Sequence, residues 1–341
     1  MADAGVDLLA GLDDLSVMGF VEILPRLPFF RRLTRRLHRL MDDERPDLVI
    51  LVDYPGFNLR MARAAHDRGI AVLYYIAPQV WAWKQRRARL MAEITDRVAV
   101  ILPFETEFLG RFGVDATYVG HPLIDRPDDV PDRGDFLARH GLEDGRPILA
   151  MLPGSREQEL ARHLEPFRAI AERVIEHRPD VLPVFSRAAS LHAGPFHELG
   201  FPVVDDTRGR QRHAQAALVK SGTSTLETAI EGTPFAIGYR TSAVTAALAR
   251  RLVKTEHIGL PNLIAGERVV PEFFQEELSP EMVAPVLLDL LDEHSPARAA
   301  QIDGLRSVRE RLGDPGAAGR VADIVGELLN SQARTPGASD E

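Results

Sequence analysis

The chain has 341 residues, 45% of them hydrophobic, which is enough for two domain-sized cores because single cores rarely grow past roughly 250–300 residues. With 50 acidic against 41 basic side chains the formal charge is -9, so there is no overall pull toward a nucleic-acid backbone and nucleic-acid partners are disfavoured. The absence of cysteine excludes a disulfide framework and thiolate metal sites, and no apolar run reaches the ~18–20 residues that cross a bilayer.

Residues 1–12 lack the basic flank and long apolar stretch of a secretion signal, and a cytoplasmic protein, soluble or membrane-peripheral, is expected. From Phe29 to Leu40 an amphipathic helix is predicted: Phe29, Leu33, Leu37 and Leu40 share one face, while Arg31, Arg32, Arg35, Arg36 and Arg39 gather elsewhere. Such a helix either packs its apolar face on a core or lies on anionic lipid, where each well-placed cation contributes roughly 1 kcal/mol. Short apolar runs then alternate with helix-length amphipathic stretches, the pattern of parallel sheets covered on both faces. Strands are predicted at 48–52, 71–76, 98–101 and 116–119, with helices at 59–68, 84–94 and 105–112.

A proline- and acid-rich segment interrupts the alternation after residue 124, and residues 125–144 are expected to link two domains, 1–124 and 145–329. The second unit restarts with a strand at 147–152 and a long helix at 159–177, followed by strands at 181–185, 201–204, 216–219 and 235–238. Helices are predicted from 280 to 329, and the polar residues 330–341 are expected to be disordered. Nothing before the first strand supplies an initial strand with a glycine-rich turn, so the first domain is expected to lack its opening βαβ portion.

Four segments sit where doubly wound folds bind ligands, just past strand ends. Asp53-Tyr54-Pro55-Gly56-Phe57-Asn58 places a carboxylate there, either a turn residue or a general base, with Asn58 positioned to cap the next helix. Ala77-Pro78-Gln79-Val80-Trp81-Ala82-Trp83 holds both tryptophans, which form either a packing plug or a wall for sugar or lipid. Leu152-Pro153-Gly154-Ser155-Arg156 is either merely a helix start or a phosphate loop weaker than a true P-loop, in which the glycine permits close backbone approach and the guanidinium suits phosphate oxygens. Ser221-Gly222-Thr223-Ser224-Thr225-Leu226-Glu227 opens a helix, either as an ordinary capping box or, given its crowding of glycine and hydroxyls, as a site whose free amides and partial positive charge suit a diphosphate, with Glu227 placed to accept two ribose hydroxyls. There is no Asp-x-Asp and no paired histidine spacing, so a reaction without metal or other cofactor is expected.

Taken together, these segments resemble lipid-A-disaccharide synthase. The resemblance rests on Leu15-Ser16-Val17-Met18-Gly19-Phe20-Val21-Glu22, the strings at 53–58 and 78–83, and Pro103-Phe104-Glu105. It continues through Gly120-His121-Pro122-Leu123, the strings at 152–156 and 221–227, and Leu260-Pro261-Asn262-Leu263-Ile264-Ala265-Gly266. The resemblance implies a GT-B fold, two Rossmann-like domains facing across a cleft. It also implies transfer of 2,3-diacylglucosamine from its UDP carrier to 2,3-diacylglucosamine 1-phosphate, at the cytoplasmic face of the inner membrane.

On matching positions it implies Asp53 as catalytic base and Gly154, Ser155, Arg156, Ser221, Gly222, Thr223, Thr225, Glu227, Asn262 and Gln275 on the donor side. Trp81, Trp83, Phe29, Arg32 and Arg36 fall on the acceptor and lipid side, and a homodimer is implied as well. Two departures stand out: Gly56 replaces a second aspartate that many members carry, and the family's opening Gly-Glu-x-Ser-Gly-Asp turn has no counterpart here. Rival readings are another GT-B enzyme acting on a UDP-sugar, such as a muramyl transferase or a nonhydrolysing epimerase, and a noncatalytic lipid- or nucleotide-binding remnant.

Overall fold

The structure is a computed structural model and describes residues 4–11, 20–81, 86–242 and 257–333. Two parallel sheets carry it. The first has the order β1(Leu48–Val52)-β2(Ala71–Tyr75)-β3(Arg97–Val100)-β4(Ala116–Tyr118). On one face pack α1 (Phe20–Asp43), α2 (Pro55–His66) and α3 (Arg86–Ile94), around a core that includes Leu51, Met61, Tyr74 and Met91. A further helix, α4 (Glu105–Gly110), leads into β4. Strand β1 lies at the sheet edge, and Ile50 and Val52 are 46% and 45% exposed there. In α1 the residues packed on this core are Phe30, Leu33 and Leu37, whereas Arg31, Arg32, Arg35, Arg36 and Arg39 are exposed.

The segment expected as a linker is not irregular throughout. It contains α5 (Arg133–His140), capped by the Asp132 carboxylate on the Asp135 amide at 2.9 Å and closed by Gly141 in the left-handed conformation. Phe136 of α5 is fully buried in the second core against His140 and His213, so burial assigns this stretch to the second unit despite its polar composition.

The second sheet runs β10-β9-β8-β5-β6-β7, built from β5 (Ile148–Leu152), β6 (Leu182–Ser186), β7 (Val203–Val204), β8 (Ala216–Lys220), β9 (Phe235–Tyr239) and β10 (Glu272–Phe274). Its central strands are covered on both faces, and the apolar runs Ile148–Leu152 and 216–219 read accordingly. Around it lie α6 (Glu157–His177), α7 (Thr207–His213), α8 (Thr223–Glu231), α9 (Leu260–Ala265), α10 (Pro280–Leu291) and α11 (Pro296–Arg311). Strand order reverses between β5 and β8, which pair in parallel with Leu152 beside Val219. This switch point opens a crevice at the strands' carboxyl ends.

The last helix, α12 (Ala317–Ala333), departs from the expectation in two ways. It continues past residue 330, and it leaves the second unit to lie on the open face of the first sheet, where Ile324 and Leu328 cluster with Leu73, Ala99 and Val119. Arg320 fastens it by donating from Nε to the Val119 carbonyl at 2.7 Å, and Arg97 of β3 lies 3.6 Å from Glu327. Gly120 is required at this crossing, since its φ is +85° and a Cβ there would sit 2.5 Å from Arg320 Nη2.

Candidate active site

At the end of β1 the chain turns through Asp53 and Tyr54, both with positive φ (47° and 44°). Two consecutive non-glycine residues in this region cost on the order of 1–2 kcal/mol each, so the turn must be held from outside. Three groups hold it: the Asp53 amide donates to the Tyr75 carbonyl, and the Asp53 carbonyl accepts from Tyr74 Oη and from Asn58 Nδ2, both at 2.7 Å. Asn58 therefore does not cap α2 as expected. It lies inside that helix and reaches back to the Val52 and Asp53 carbonyls, while Tyr54 occupies the cap position. Burial, with the nearby Asp53 carboxylate, raises the Tyr74 phenol and keeps it a donor. The Asp53 side chain itself is exposed.

Trp81 is drawn inward: it is 8% exposed, meets Phe104 edge-on at 5.2 Å and donates its indole N–H to Glu105 at 3.1 Å. Buried area outweighs lipid contact for this ring, and it leaves little surface for an acyl chain. Trp83 lies outside the described residues. Phe29 is half-buried and stacks edge-on against Phe30.

Glu105 and His121 are both buried, and burial moves them in opposite senses: the carboxyl rises from 4.5 to about 7, and the imidazole falls from 6.5 to about 4. Glu105 thus contributes stability below pH 4.5 that is lost as pH rises toward 7. His121 contributes stability above pH 6.5 that is lost as pH falls toward 4, each on the order of 3 kcal/mol. Between pH 4.5 and 6.5 the two oppose each other. Denaturant titrations are expected to show a steeper loss of stability toward acid in Glu105→Gln than in the wild type, and a shallower one in His121→Asn. Parallel profiles for all three chains would refute this assignment.

The crevice at the switch point is a cavity of about 190 Å³ lined by Leu152, Gly154, Ser155, Arg156, Glu159, Ser186, Ala188, Arg210, Lys220, Gly222, Thr223 and Ser224. Two helix N-termini meet there, α6 after Arg156 and α8 after Gly222, and no side chain caps either. Glu159, one turn into α6, binds three donors: the Ser155 amide at 3.1 Å, Arg156 Nη1 at 3.1 Å and Lys220 Nζ at 2.8 Å. Burial alone would raise its carboxyl, but Lys220, the Ser155 amide and Arg156 outweigh that and hold it below the usual range. Lys220 also lies 5.6 Å from the Tyr239 ring centroid. A preformed cluster of cations and amides at a switch point suits a phosphate-bearing ligand.

The expected donor residues divide by geometry. Gly154, Ser155, Arg156, Gly222 and Thr223 line this cavity, and Ser221 sits beside it with its amide donating to the Gly238 carbonyl. Glu227 accepts from Arg126 Nη1 at 2.8 Å. Thr225 is fully buried and its hydroxyl donates to the Gly222 carbonyl, which braces the turn. Asn262 is buried with both side-chain hydrogens committed, to the Val270 carbonyl and Glu272 Oε1 at 2.8 Å each, and its Oδ1 accepts from the Val270 amide. Gln275 pairs with both backbone groups of Thr241. These internal bonds make Thr225, Asn262 and Gln275 braces of the wall instead of open ligand groups. Sequence reasoning missed Glu159, Lys220 and Arg210. For Lys220 the signal was there, a cation ending an apolar strand directly before Ser-Gly-Thr, whereas Arg210 sits in a polar helix that reads as surface.

In solved structures the same architecture recurs. The calicheamicin glycosyltransferase CalG4 matches with a TM-score of 0.56 at 18% identity, covering 92% of this chain and 82% of that one. A UDP-GlcNAc 2-epimerase from Neisseria meningitidis, bound to UDP-GlcNAc, matches with a TM-score of 0.56 at 13% identity, covering 88% and 81%. Two parallel α/β units of this kind define the GT-B fold.

The sequence profile of the family described as Lipid-A-disaccharide synthetase matches residues 1–315. The lipid-A-disaccharide synthase of Anaeromyxobacter sp. (strain K) is 42% identical over 336 residues, 95% of this chain and 86% of that protein. That of Geobacter sulfurreducens is 38% identical over 339 residues, 97% and 88%. The chain belongs to the lipid-A-disaccharide synthase family and is a hexosyltransferase. Among the described residues no helix is long and apolar enough to cross a membrane.

Proposed function

We propose that the chain transfers 2,3-diacylglucosamine from UDP-2,3-diacylglucosamine to the 6-hydroxyl of 2,3-diacylglucosamine 1-phosphate, forming the β-1,6-linked disaccharide 1-phosphate and UDP. The observation that carries this reading is the crevice between β5 and β8, where Arg156, Lys220 and the first turn of α8 converge. The donor diphosphate sits on these groups, and Glu227 takes the ribose hydroxyls. The exposed carboxylate of Asp53 faces the anomeric carbon across the interdomain cleft. As O6 of the acceptor bonds to that carbon, its proton passes to Asp53 and the bond from carbon to the phosphate oxygen breaks, inverting the centre in one displacement. Charge developing on UDP is met by fixed dipoles and cations, which replace a divalent metal.

In this reading the enzyme works as a homodimer on the cytoplasmic face of the inner membrane, supported by the exposed arginines of α1, Arg32 and Arg36 among them, with Phe29 beside them, which suit anionic headgroups. The test is turnover of both acylated substrates presented in anionic and in neutral vesicles, with products read by mass spectrometry. Disaccharide 1-phosphate formed in excess EDTA is expected. No product would sink the reaction, activity lost in EDTA and restored by manganese would sink the metal-free step, and equal sedimentation with both vesicle types would remove the basic helix from the reading.

A further inference from the structure

Arg210 is the largest fully buried side chain among the described residues, at 0% exposure, and it lines the crevice between β5 and β8. Its Nη1 donates to the Val204 carbonyl at 3.2 Å, while Nε and Nη2 have no partner among the described residues. No carboxylate among the described residues is hydrogen-bonded to it. The acids nearest in charge are Asp206, Glu227 and Asp205, of which Asp206 accepts from the Gly209 amide and Glu227 from Arg126. Burial pushes the guanidinium down to about 10, which leaves it charged at neutral pH. The neighbouring Gln211 is likewise buried, and its Nε2 ties α7 to the first two turns of α8 through the Ser224 carbonyl and the Thr228 hydroxyl, so α7 holds Arg210 against the helix end that faces the crevice.

A buried charge with two idle nitrogens is costly, and an apolar side chain of similar volume would leave the empty protein more stable. Its one hydrogen bond to a carbonyl does not require a guanidinium. The arrangement is explained if the missing partner is a ligand. The other cations of the wall, Arg156 and Lys220, already share Glu159, so Arg210 is the cation of the crevice with no carboxylate hydrogen-bonded to it among the described residues.

We propose that Arg210 is the inner cation of the donor site, and that a phosphate of the nucleotide sugar seated on the first turn of α8 recruits its idle Nε and Nη2. This rests on the reading of the crevice as the donor site.

The test is calorimetric titration of the full chain with UDP and with uridine, together with thermal melts, for the wild type, Arg210→Met and Arg210→Lys. Arg210→Met is expected to melt at or above the wild-type temperature without ligand, to bind UDP about tenfold or more weakly, and to bind uridine unchanged, with Arg210→Lys between the two. UDP affinity within twofold of wild type in Arg210→Met would overturn the assignment and leave the donor-site reading standing. A drop in melting temperature in both variants, or equal loss of UDP and uridine, would show a structural residue and overturn it as well. Failure of the wild type itself to bind UDP would overturn the donor-site reading and this assignment with it.

Discussion

Replacing Asp53 with Asn is expected to lower turnover by about a thousandfold, within the ~10²–10⁴ span of general-base catalysis, while UDP affinity stays within twofold. The substitution tests the carboxylate alone because everything that shapes the turn survives it. Asn is isosteric and among the residues best tolerated at positive φ, and the bonds from Tyr74, Asn58 and to Tyr75 involve only the backbone of residue 53. The strain at residues 53 and 54 points the same way, since a surface turn with no task would relax to glycine or to a wider loop. Turnover equal to that of the wild type would remove Asp53 as the base. Loss of UDP binding as well would show that the residue supports the architecture of the cleft.

Gly154→Ala carries the second large effect, through two independent causes. The residue has φ +131°, outside what an alanine adopts without strain, and an added Cβ would stand 2.8 Å from Glu159 Cβ and 2.9 Å from Glu159 Oε2. Glu159 cannot give way cheaply because it holds Ser155, Arg156 and Lys220 together. The expected result is a loss of roughly 1–3 kcal/mol of stability and at least a tenfold weaker UDP affinity, read by thermal melts and by titration calorimetry. A variant with wild-type melting temperature and UDP affinity would show that the crevice is not built around this close approach.

Most elements were legible because their causes are local. Apolar runs such as Leu48–Val52 and Ile148–Leu152, and the amphipathic stretch that became α6, announce strand and helix by periodicity, and each is found within a few residues of where it was expected. The short strand β10 was not foreseen, since three residues carry no periodicity. The segments bearing Asp53, Arg156 and Ser221 were legible for the same local reason, because each follows a strand directly. Side-chain direction was not. Trp81 and Asn262 stand in motif strings, yet one faces a buried carboxylate and the other the backbone of Val270, and nothing in a string says which way it points.

By itself, then, the sequence determined the α/β class, the two-sheet division, the strand ends where the candidate site residues fall and, through collinear motifs, the family. Tertiary structure alone decided that α12 returns to cover the first sheet and that Phe136 draws α5 into the second core. It also decided that Lys220 and Arg156 meet on Glu159, and that Arg210 is buried behind the crevice. The reason is range: hydrogen-bond periodicity is satisfied within a few residues, whereas burial is settled between faces far apart in the chain, such as Val119 and Arg320. A charged residue in a polar helix reads as surface until the packing around it is known.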